Sequence, residues 1–298
     1  MDVMYGDART GPETRPQHLL LTLLGDYWYQ REGSIPSTAL VGLLAEFDVT
    51  EQNARAALSR LARRGLLASV RQGRATRYRL TPQAHATLAE GTDRIFGFGH
   101  RAHTWDGTWT CVSFSVPESM RSTRTTLRTR LRWLGFAPLY DAAWFAPGDR
   151  SGAAADVIAE LGLAAATIIT GPVRGTDGGD PLRAWDLAAL RARYAAFIDR
   201  FAPIREAIRH GAAEPARALL ERTAIIDVWR TFPALDPELP AALLPPDWPQ
   251  SEAADLFRTV YDTLGPPATR RVRHILARHD PEAAEQATHH TSSDVFPA

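Results

Sequence analysis

Eight arginines stand between residues 52 and 80, and no acidic residue lies among them. The 298-residue chain has 34 basic and 34 acidic residues in total, so this positive charge is local. All the basic residues are arginine, whose guanidinium group pairs in bidentate fashion with phosphate and with guanine. Gln52 and Asn53 add amide side chains, which can form the equivalent pair of hydrogen bonds with adenine. Together, these residue types could contact both the phosphates and the base edges of a DNA duplex.

The hydrophobic spacing places these residues on a helix followed by a hairpin. The helix is expected to begin after Thr50, a good N-cap residue, and to end at Gly65. Two β-like runs follow at 66–71 and 76–80, with 72–75 between them. Two more helical patterns precede the basic helix, beginning at Pro16 and near Ser37. The order of three helices and a hairpin predicts a winged helix-turn-helix, which places one helix in the major groove.

This interpretation divides the basic helix into two sides. Its buried stripe is Ala54, Ala57, Leu58 and Leu61. The side expected to face DNA comprises Gln52, Asn53, Arg55, Ala56, Ser59, Arg60 and Arg63. The hairpin is expected to contact phosphates or the minor groove through Arg71, Arg74 and Arg77. A solvated helix face and a hairpin charged against aggregation are the alternatives that need no nucleic acid.

The remainder of the chain predicts two further domains. Residues 109–116, 118–134, 136–146, 153–161 and 166–173 read as strand, helix, one or two strands, helix and strand, which is typical of a ferredoxin-like split βαβ domain. Helical patterns follow at 186–201, 215–232, 251–264 and 271–278. The expected fold class is α+β. The expected domains are a flexible N-terminus at 1–14, a winged helix at 15–98, a ferredoxin-like domain at 99–178, a helical domain at 179–280 and a flexible tail at 281–298.

Composition narrows the classes of function. No apolar run approaches the ~20 residues that span a bilayer, and residues 1–15 are polar, so we expect a cytoplasmic protein with no membrane partner. Cys111 is the only cysteine, which excludes an intrachain disulfide and a cysteine metal cluster. Residues 180–298 hold 14 arginines against 17 acidic residues. This region therefore suits ligand binding or dimerisation better than DNA binding.

Three sequence signatures in order resemble the PaaX family of bacterial transcriptional repressors over residues 15–280. They are RAALSRLARRGLL with GRATRYRLTP, the WDGTW that opens the middle region, and IIDVWRTFPALDPELPAALLPPDWP at 225–249. The resemblance implies a winged helix, a middle domain similar to the small CRISPR-associated endoribonucleases, and a helical C-terminal domain. It also implies a homodimer bound to a palindromic operator. It further implies a repressor of a catabolic operon that is released by a small-molecule effector, an acyl-CoA such as phenylacetyl-CoA.

Two groups of residues are candidates for effector binding. Arg121, Arg124, Arg128 and Arg132 are spaced to lie along one helical face, where they could bind CoA phosphates, flanking DNA or acidic residues across a dimer, or could simply be solvated. Tryptophans in the family signature could line a pocket, although packing in a core is their more common role. The effector candidates are Arg124, Arg128, Trp229, Arg230 and Trp248.

Catalysis is the remaining class. A nuclease of the ferredoxin-like type needs an aspartate at the end of its first strand to hold a metal ion. Here that strand, TCVSFSVP, has none; Asp106 precedes it and Glu118 follows it. Motifs for zinc peptidases, nucleotide binding and serine hydrolases are missing from the sequence. We therefore expect no catalytic residue, metal or cofactor. A protein-interaction scaffold with a basic N-terminal face and a metal-dependent nuclease remain as alternatives.

Overall fold

The computed structural model describes residues 15–73, 75–99, 104–176, 179–211 and 213–295. The expected flexible N-terminus at 1–14 and the hairpin residue Arg74 lie outside the described residues. The chain divides into two compact units. One combines residues 1–100, 194–235 and 250–298, and the other combines 101–193 and 236–249. Residues 179–280 were expected to form a separate helical domain, but 194–235 and the part from 250 onward group with the N-terminal region, because both supply apolar helix faces that are buried together.

The first unit begins with helices and a small sheet. Its elements are α1 (Arg15–Trp28), β1 (Ile35–Pro36), α2 (Ser37–Ala45), α3 (Glu51–Arg63), β2 (Leu67–Gln72), β3 (Ala75–Leu80) and α4 (Pro82–Gly97). The strands form an antiparallel sheet in the order β1-β3-β2. The Thr50 hydroxyl accepts the Asn53 N–H at the start of α3, and Gly65 turns the chain after it with φ 74°. The predicted helices, cap and hairpin are confirmed.

The second unit is built around a four-stranded antiparallel sheet. Its elements are β4 (Trp109–Phe114), α5 (Arg121–Trp133), β5 (Ala137–Tyr140), β6 (Ala143–Pro147), α6 (Ser151–Glu160) and β7 (Ala166–Gly171). The strand order is β5-β6-β4-β7. Val112, Phe114 and Trp144 from the sheet are buried with Leu127 and Leu131 from α5. This arrangement confirms the ferredoxin-like split βαβ prediction.

The remaining long elements of the described chain are helices. They are α7 (Leu187–Arg209), α8 (Pro215–Trp229), α9 (Phe232–Leu235), α10 (Gln250–Ala277), α11 (Pro281–Gln286) and α12 (Ser292–Val295). α10 is one helix of 28 residues, where the sequence predicted two. Pro266 and Pro267 lie inside it, and each lacks the N–H that a helix interior normally uses. Leu264, Pro267 and Ala268 are buried, so core packing stabilises a continuous helix that local propensity disfavours.

The segment after Asp280 was expected to be a flexible tail, but the structure corrects this: through Val295 it is folded. α11 buries Ala283 and Ala284. Beyond it, the Thr288 N–H donates to the Tyr27 carbonyl at 3.1 Å, and Ser292 donates its N–H and hydroxyl to Asp262 at 2.8 and 2.6 Å. Hydrogen bonds to residues distant in sequence therefore hold this segment in place. Such contacts cannot be predicted from the composition of the segment.

Candidate nucleic-acid interface

α3 buries one side and presents the other to solvent. Ala54, Ala57, Leu58 and Leu61 are buried, as the hydrophobic pattern predicts. On the opposite side, Gln52, Asn53, Ser59 and Arg63 are exposed, while Ala56 and Arg60 are half-buried. The structure therefore brings six of the candidate groove residues together on one helix face. The side chains at the four exposed positions are accessible to a ligand from solvent.

Arg55, the seventh candidate on α3, already has an acidic neighbour. Its Nε and Nη2 donate to Glu51 Oε1 at 2.8 and 2.7 Å. Both side chains are more than half exposed. An ion pair of this kind contributes about 1 kcal/mol or less to the free energy of unfolding. Glu51 also lies in the first turn of the helix, where the helix dipole favours a negative charge. The acidic residue just outside the arginine-rich stretch therefore offsets part of its charge.

The hairpin presents a different set of arginines from the one expected. Arg71 on β2 is exposed, and Arg79 on β3 is exposed as well. Arg79 belongs to the arginine-rich stretch, but we did not select it as a contact residue. Alternation along a strand places Arg77 and Arg79 on the same face, so the sequence pattern does not separate the exposed Arg79 from the half-buried Arg77.

Arg77 lies in a different environment from the one expected of a hairpin contact to DNA. β3 is the central strand of the sheet, with Arg77 opposite Pro36 on one side and Val70 on the other. The Arg77 side chain is only 16% exposed, and its Nη1 lies 2.5 Å from Asp280 Oδ2. Its Nε and Nη2 donate to the hydroxyl and the carbonyl of Ser34. Because all these donors face protein acceptors, Arg77 links the sheet to the start of α11, and its guanidinium group is engaged within the protein.

Asp280 is held ionised by these neighbours. Burial alone would raise the pKa of its carboxyl group, and this is the largest single influence. The Ala283 N–H and the Arg77 guanidinium oppose burial, so the pKa is lowered from its usual value. The ion pair therefore persists at neutral pH.

The arginine stripe on α5 is largely engaged within its own unit. Arg124 Nη2 donates to the Val116 carbonyl at 2.6 Å, and Nη1 lies 3.2 Å from Glu118. Arg128 Nη2 lies 3.4 Å from the Asp141 carbonyl. Arg132 stacks over the Trp144 ring at 5.2 Å. Of the four, Arg121, at the N-terminal end of the helix, and Arg132 are exposed, while Arg124 and Arg128 are half-buried.

The other effector candidates fall in different places. Trp229 is 1% exposed, its ring stacks on Phe257 at 4.9 Å, and its Nε1 donates to the Ile95 carbonyl at 3.3 Å. Trp229 is therefore a core residue that neighbouring rings cover, whereas it was expected to line an effector site. Arg230 is paired with Asp227 and lines a pocket in the first unit. Trp248, in the second unit, lies under the Arg191 guanidinium at 5.5 Å.

The geometry around β4 bears on the nuclease alternative. The Asp106 carboxylate accepts the Thr108 N–H at 2.9 Å, which is a local turn interaction. Among the described residues, no three His, Cys, Asp or Glu side chains come together in a way that could hold a metal ion.

The helices of the described ranges include none that is long and apolar enough to cross a membrane.

Family models match the chain in three consecutive segments. The PaaX-like protein model covers residues 15–84, the PaaX protein central Cas2-like domain covers 102–180, and the PaaX-like protein C-terminal domain covers 185–274. No curated protein matches the chain. Among solved structures, the chain is similar to the uncharacterized protein Rv0674 from Mycobacterium tuberculosis, with 22% identity and a TM-score of 0.56. The match covers 86% of this chain and 96% of that protein's chain. At this identity, the likeness shows a shared fold.

Proposed function

Because the chain belongs to the PaaX family, whose three domains it contains in order, we propose that it is a transcriptional regulator that binds double-stranded DNA through α3 and the β2–β3 hairpin. The observation that carries this proposal is the exposed face of α3. Its polar and basic side chains stand opposite a buried apolar stripe and are followed directly by a hairpin that carries the exposed Arg71 and Arg79. A helix with this division of residues fits the major groove, and a basic hairpin fits the adjoining phosphates.

The proposed contacts separate into two classes. Gln52, Asn53, Ser59 and Arg60 lie on the side of α3 that would face base edges, where amide and guanidinium groups discriminate between bases. Arg63 lies near the end of α3, and Arg71 lies on the hairpin, where contacts to phosphates would add affinity without sequence preference. Arg55 contributes less than its exposure suggests, because Glu51 already accepts its hydrogen bonds.

Fluorescence anisotropy of the full chain with the DNA upstream of its own gene, measured at several salt concentrations, tests the proposal. Asn53→Ala should weaken binding and relax sequence preference, with a cost of about 1–3 kcal/mol if Asn53 pairs with a base. Arg71→Ala should weaken binding to all sequences and reduce the salt slope by about one.

Arg209→Ala is the matched control, since Arg209 is an exposed arginine on α7 in the same unit. It should leave DNA affinity unchanged. If the protein shows no salt-dependent association with any duplex, or if both interface variants bind as tightly as wild type, DNA binding through this face is refuted. An acidic protein partner of the basic face would then be the remaining explanation for the charge.

The oligomeric and regulatory parts of the proposal rest on family membership. We propose a homodimer that binds a palindromic operator and represses a catabolic operon until a small-molecule effector, such as an acyl-CoA, releases it. Release requires that the effector bind one conformation more tightly than the other. Light scattering of the free protein and a thermal-shift series with acyl-CoA thioesters test these two parts separately. A monomer at micromolar concentration would refute the first part, and unchanged stability with every thioester would refute the second.

A further inference from the structure

The last described segment of the chain lies between the end of α1 and the side of α10. We call residues 280–295 the C-terminal strap. The Thr288 N–H of the strap donates to the Tyr27 carbonyl of α1 at 3.1 Å. On the other side, Arg273 Nε of α10 donates to the Ala287 carbonyl at 2.9 Å. Hydrogen bonds therefore attach the strap to both helices.

The His290 ring of the strap is enclosed by three aromatic rings. The centroids of Tyr29, Phe96 and Tyr261 lie 5.7, 5.3 and 6.1 Å from that of His290. The Tyr261 hydroxyl donates to Asp26 Oδ1 at 2.7 Å, so its oxygen faces His290 Nε2, 3.3 Å away, as an acceptor. A neutral imidazole with its proton on Nε2 satisfies this contact. A second proton, on Nδ1, would place a charge in a mainly apolar enclosure, which is unfavourable.

His289 is also held in its neutral form. The Thr269 hydroxyl of α10 donates to the Gly265 carbonyl at 2.9 Å, which leaves its oxygen to accept from His289 Nδ1 at 2.9 Å. The His289 ring lies so close to Gly265 that a Cβ at that position would overlap it. Two neighbouring imidazoles of the strap are thus packed against α10 as neutral groups.

A buried positive charge opposes protonation of both histidines. Arg222 on α8 is fully buried, and its Nη2 donates to the His290 carbonyl at 2.8 Å. Burial, followed by the Arg222 charge, lowers the pKa of His289 and of His290. Arg273 has the same effect on the pKa of His289. A proton gained by either ring therefore works against closure of the strap.

The nearby carboxylates do not cancel this effect. Asp294 raises the pKa of both imidazoles, and Asp262 raises that of His289, but the pKa of each imidazole is still lowered overall. Both carboxylates already have donors: Asp294 accepts from the N–H and hydroxyl of Thr291, and Asp262 accepts from Ser292. The other ionisable side chains that line a small cavity beside His290 are His18, Asp26 and Arg230.

From these contacts we propose that the C-terminal strap is a pH-sensitive switch, in which protonation of His289 and His290 releases residues 287–295 from α1 and α10. The rest of the first unit stays folded, because α8 and α10 also pack directly on each other. Release removes the hydrogen bond to Tyr27 at the end of α1, and α1 packs on α3. We therefore expect release to lower DNA affinity. This last step rests on the proposed function, whereas release of the strap does not.

The direction of the pH dependence follows from the preference for neutral imidazoles. Closure is fully favoured above pH 6.5 and weakens as the pH falls toward the value of about 4 to which the pKa of His290 is lowered. From His290 alone, the open fraction of the strap should rise about eightfold between pH 7 and pH 5.5.

Hydrogen–deuterium exchange of the full chain at pH 7 and pH 5.5, measured by mass spectrometry, tests the release. Protection factors are compared, because they correct for the intrinsic effect of pH on exchange. We expect the protection of peptides that cover 287–295 to fall about eightfold or more, while peptides from α8 keep theirs. Unchanged protection of the strap, or an equal loss in α8, would overturn the proposal.

Glutamine variants identify the groups that titrate. His290→Gln keeps an N–H donor for the Tyr261 hydroxyl but stays uncharged, so its strap should lose much less protection at pH 5.5 than the wild-type strap does. His289→Gln is a second, independent test and should also reduce the loss. His210→Gln is the matched control, since His210 is exposed after α7, and it should show the wild-type loss. If both strap variants respond to pH as wild type does, the proposal is wrong.

DNA anisotropy at the same two pH values tests the regulatory step. We expect the affinity of wild type, relative to that of the His289→Gln/His290→Gln double variant, to fall from pH 7 to pH 5.5. Equal pH responses of the two proteins refute the effect on DNA binding, and the exchange experiment still decides whether the strap is released. Failure of both proteins to bind DNA at either pH refutes the proposed function instead.

Discussion

Replacing Arg77 and Arg71 one at a time should separate folding from DNA binding, because the two arginines lie on adjacent strands of one hairpin in opposite environments. Arg77 is 16% exposed and its partner Asp280 is 14% exposed, and Ser34 accepts two more hydrogen bonds from Arg77. Removing one member of a buried ion pair costs about 3–5 kcal/mol. Because this pair retains some solvent contact, we expect the lower end, about 3 kcal/mol, for Arg77→Met, which keeps the apolar stem.

Arg71 offers the opposite case, since it is exposed on β2. Surface substitutions away from special features change stability by about 0.5 kcal/mol or less. Arg71→Ala should therefore unfold at the wild-type urea concentration and yet lose DNA affinity at low salt. Urea unfolding at pH 7 and DNA anisotropy at several salt concentrations measure the two quantities. The reasoning is refuted if Arg77→Met keeps wild-type stability while losing DNA affinity, since Arg77 would then be a DNA contact after all.

Three other predictions follow from single contacts. Burial and the Arg222 charge lower the pKa of His290 from 6.5 to about 4. The contribution of His290 to stability is therefore present above pH 6.5 and is lost as the pH falls toward 4. His290→Gln should remove about 3 kcal/mol of this pH dependence in urea unfolding curves measured at pH 7 and pH 4. Glu51→Gln should tighten DNA binding about twofold to threefold at low salt by releasing Arg55, and Glu90→Gln on α4 is the control that should bind as wild type does. In Gly265→Ala the added Cβ would overlap the His289 ring, so this variant should expose the segment after residue 280 to proteases. In Gly42→Ala the added Cβ meets its neighbours at ordinary distances of 3.5 Å or more, so this control should leave the segment protected.

Much of the fold follows from local pattern. The apolar spacing of α3, the Thr50 cap and Gly65 specify a helix with one buried side, and the structure shows that helix with its cap. Strand-like runs and intervening helices in the middle region correspond to the observed β4–β7 sheet. These features depend on backbone preferences and on the alternation of apolar and polar residues over one or a few turns. Both can be read directly from a single sequence.

The roles of several residues could not be found in this way. Arg77 has the same side chain and nearly the same neighbours in sequence as Arg79, yet one is tied to Asp280 and the other is exposed. Trp229 stands in a family signature, but its environment is set by Phe257 and by Ile95, which lies 134 residues earlier in the chain. Composition favoured a flexible segment after residue 280, because alanine, serine and histidine give no hydrophobic period. The contacts of Thr288 with Tyr27 and of Ser292 with Asp262 hold the segment in place.

The sequence by itself determined which segments form helices and strands, where the positive charge is concentrated, and to which family the chain is similar, because periodicity, caps and motifs are properties of neighbouring residues. Only the tertiary structure decided which arginines are exposed and that α10 continues through two prolines. The physical reason is that burial and ion pairing depend on which residues meet in space, and partners such as Arg77 and Asp280 are brought together by the packing of whole helices and strands.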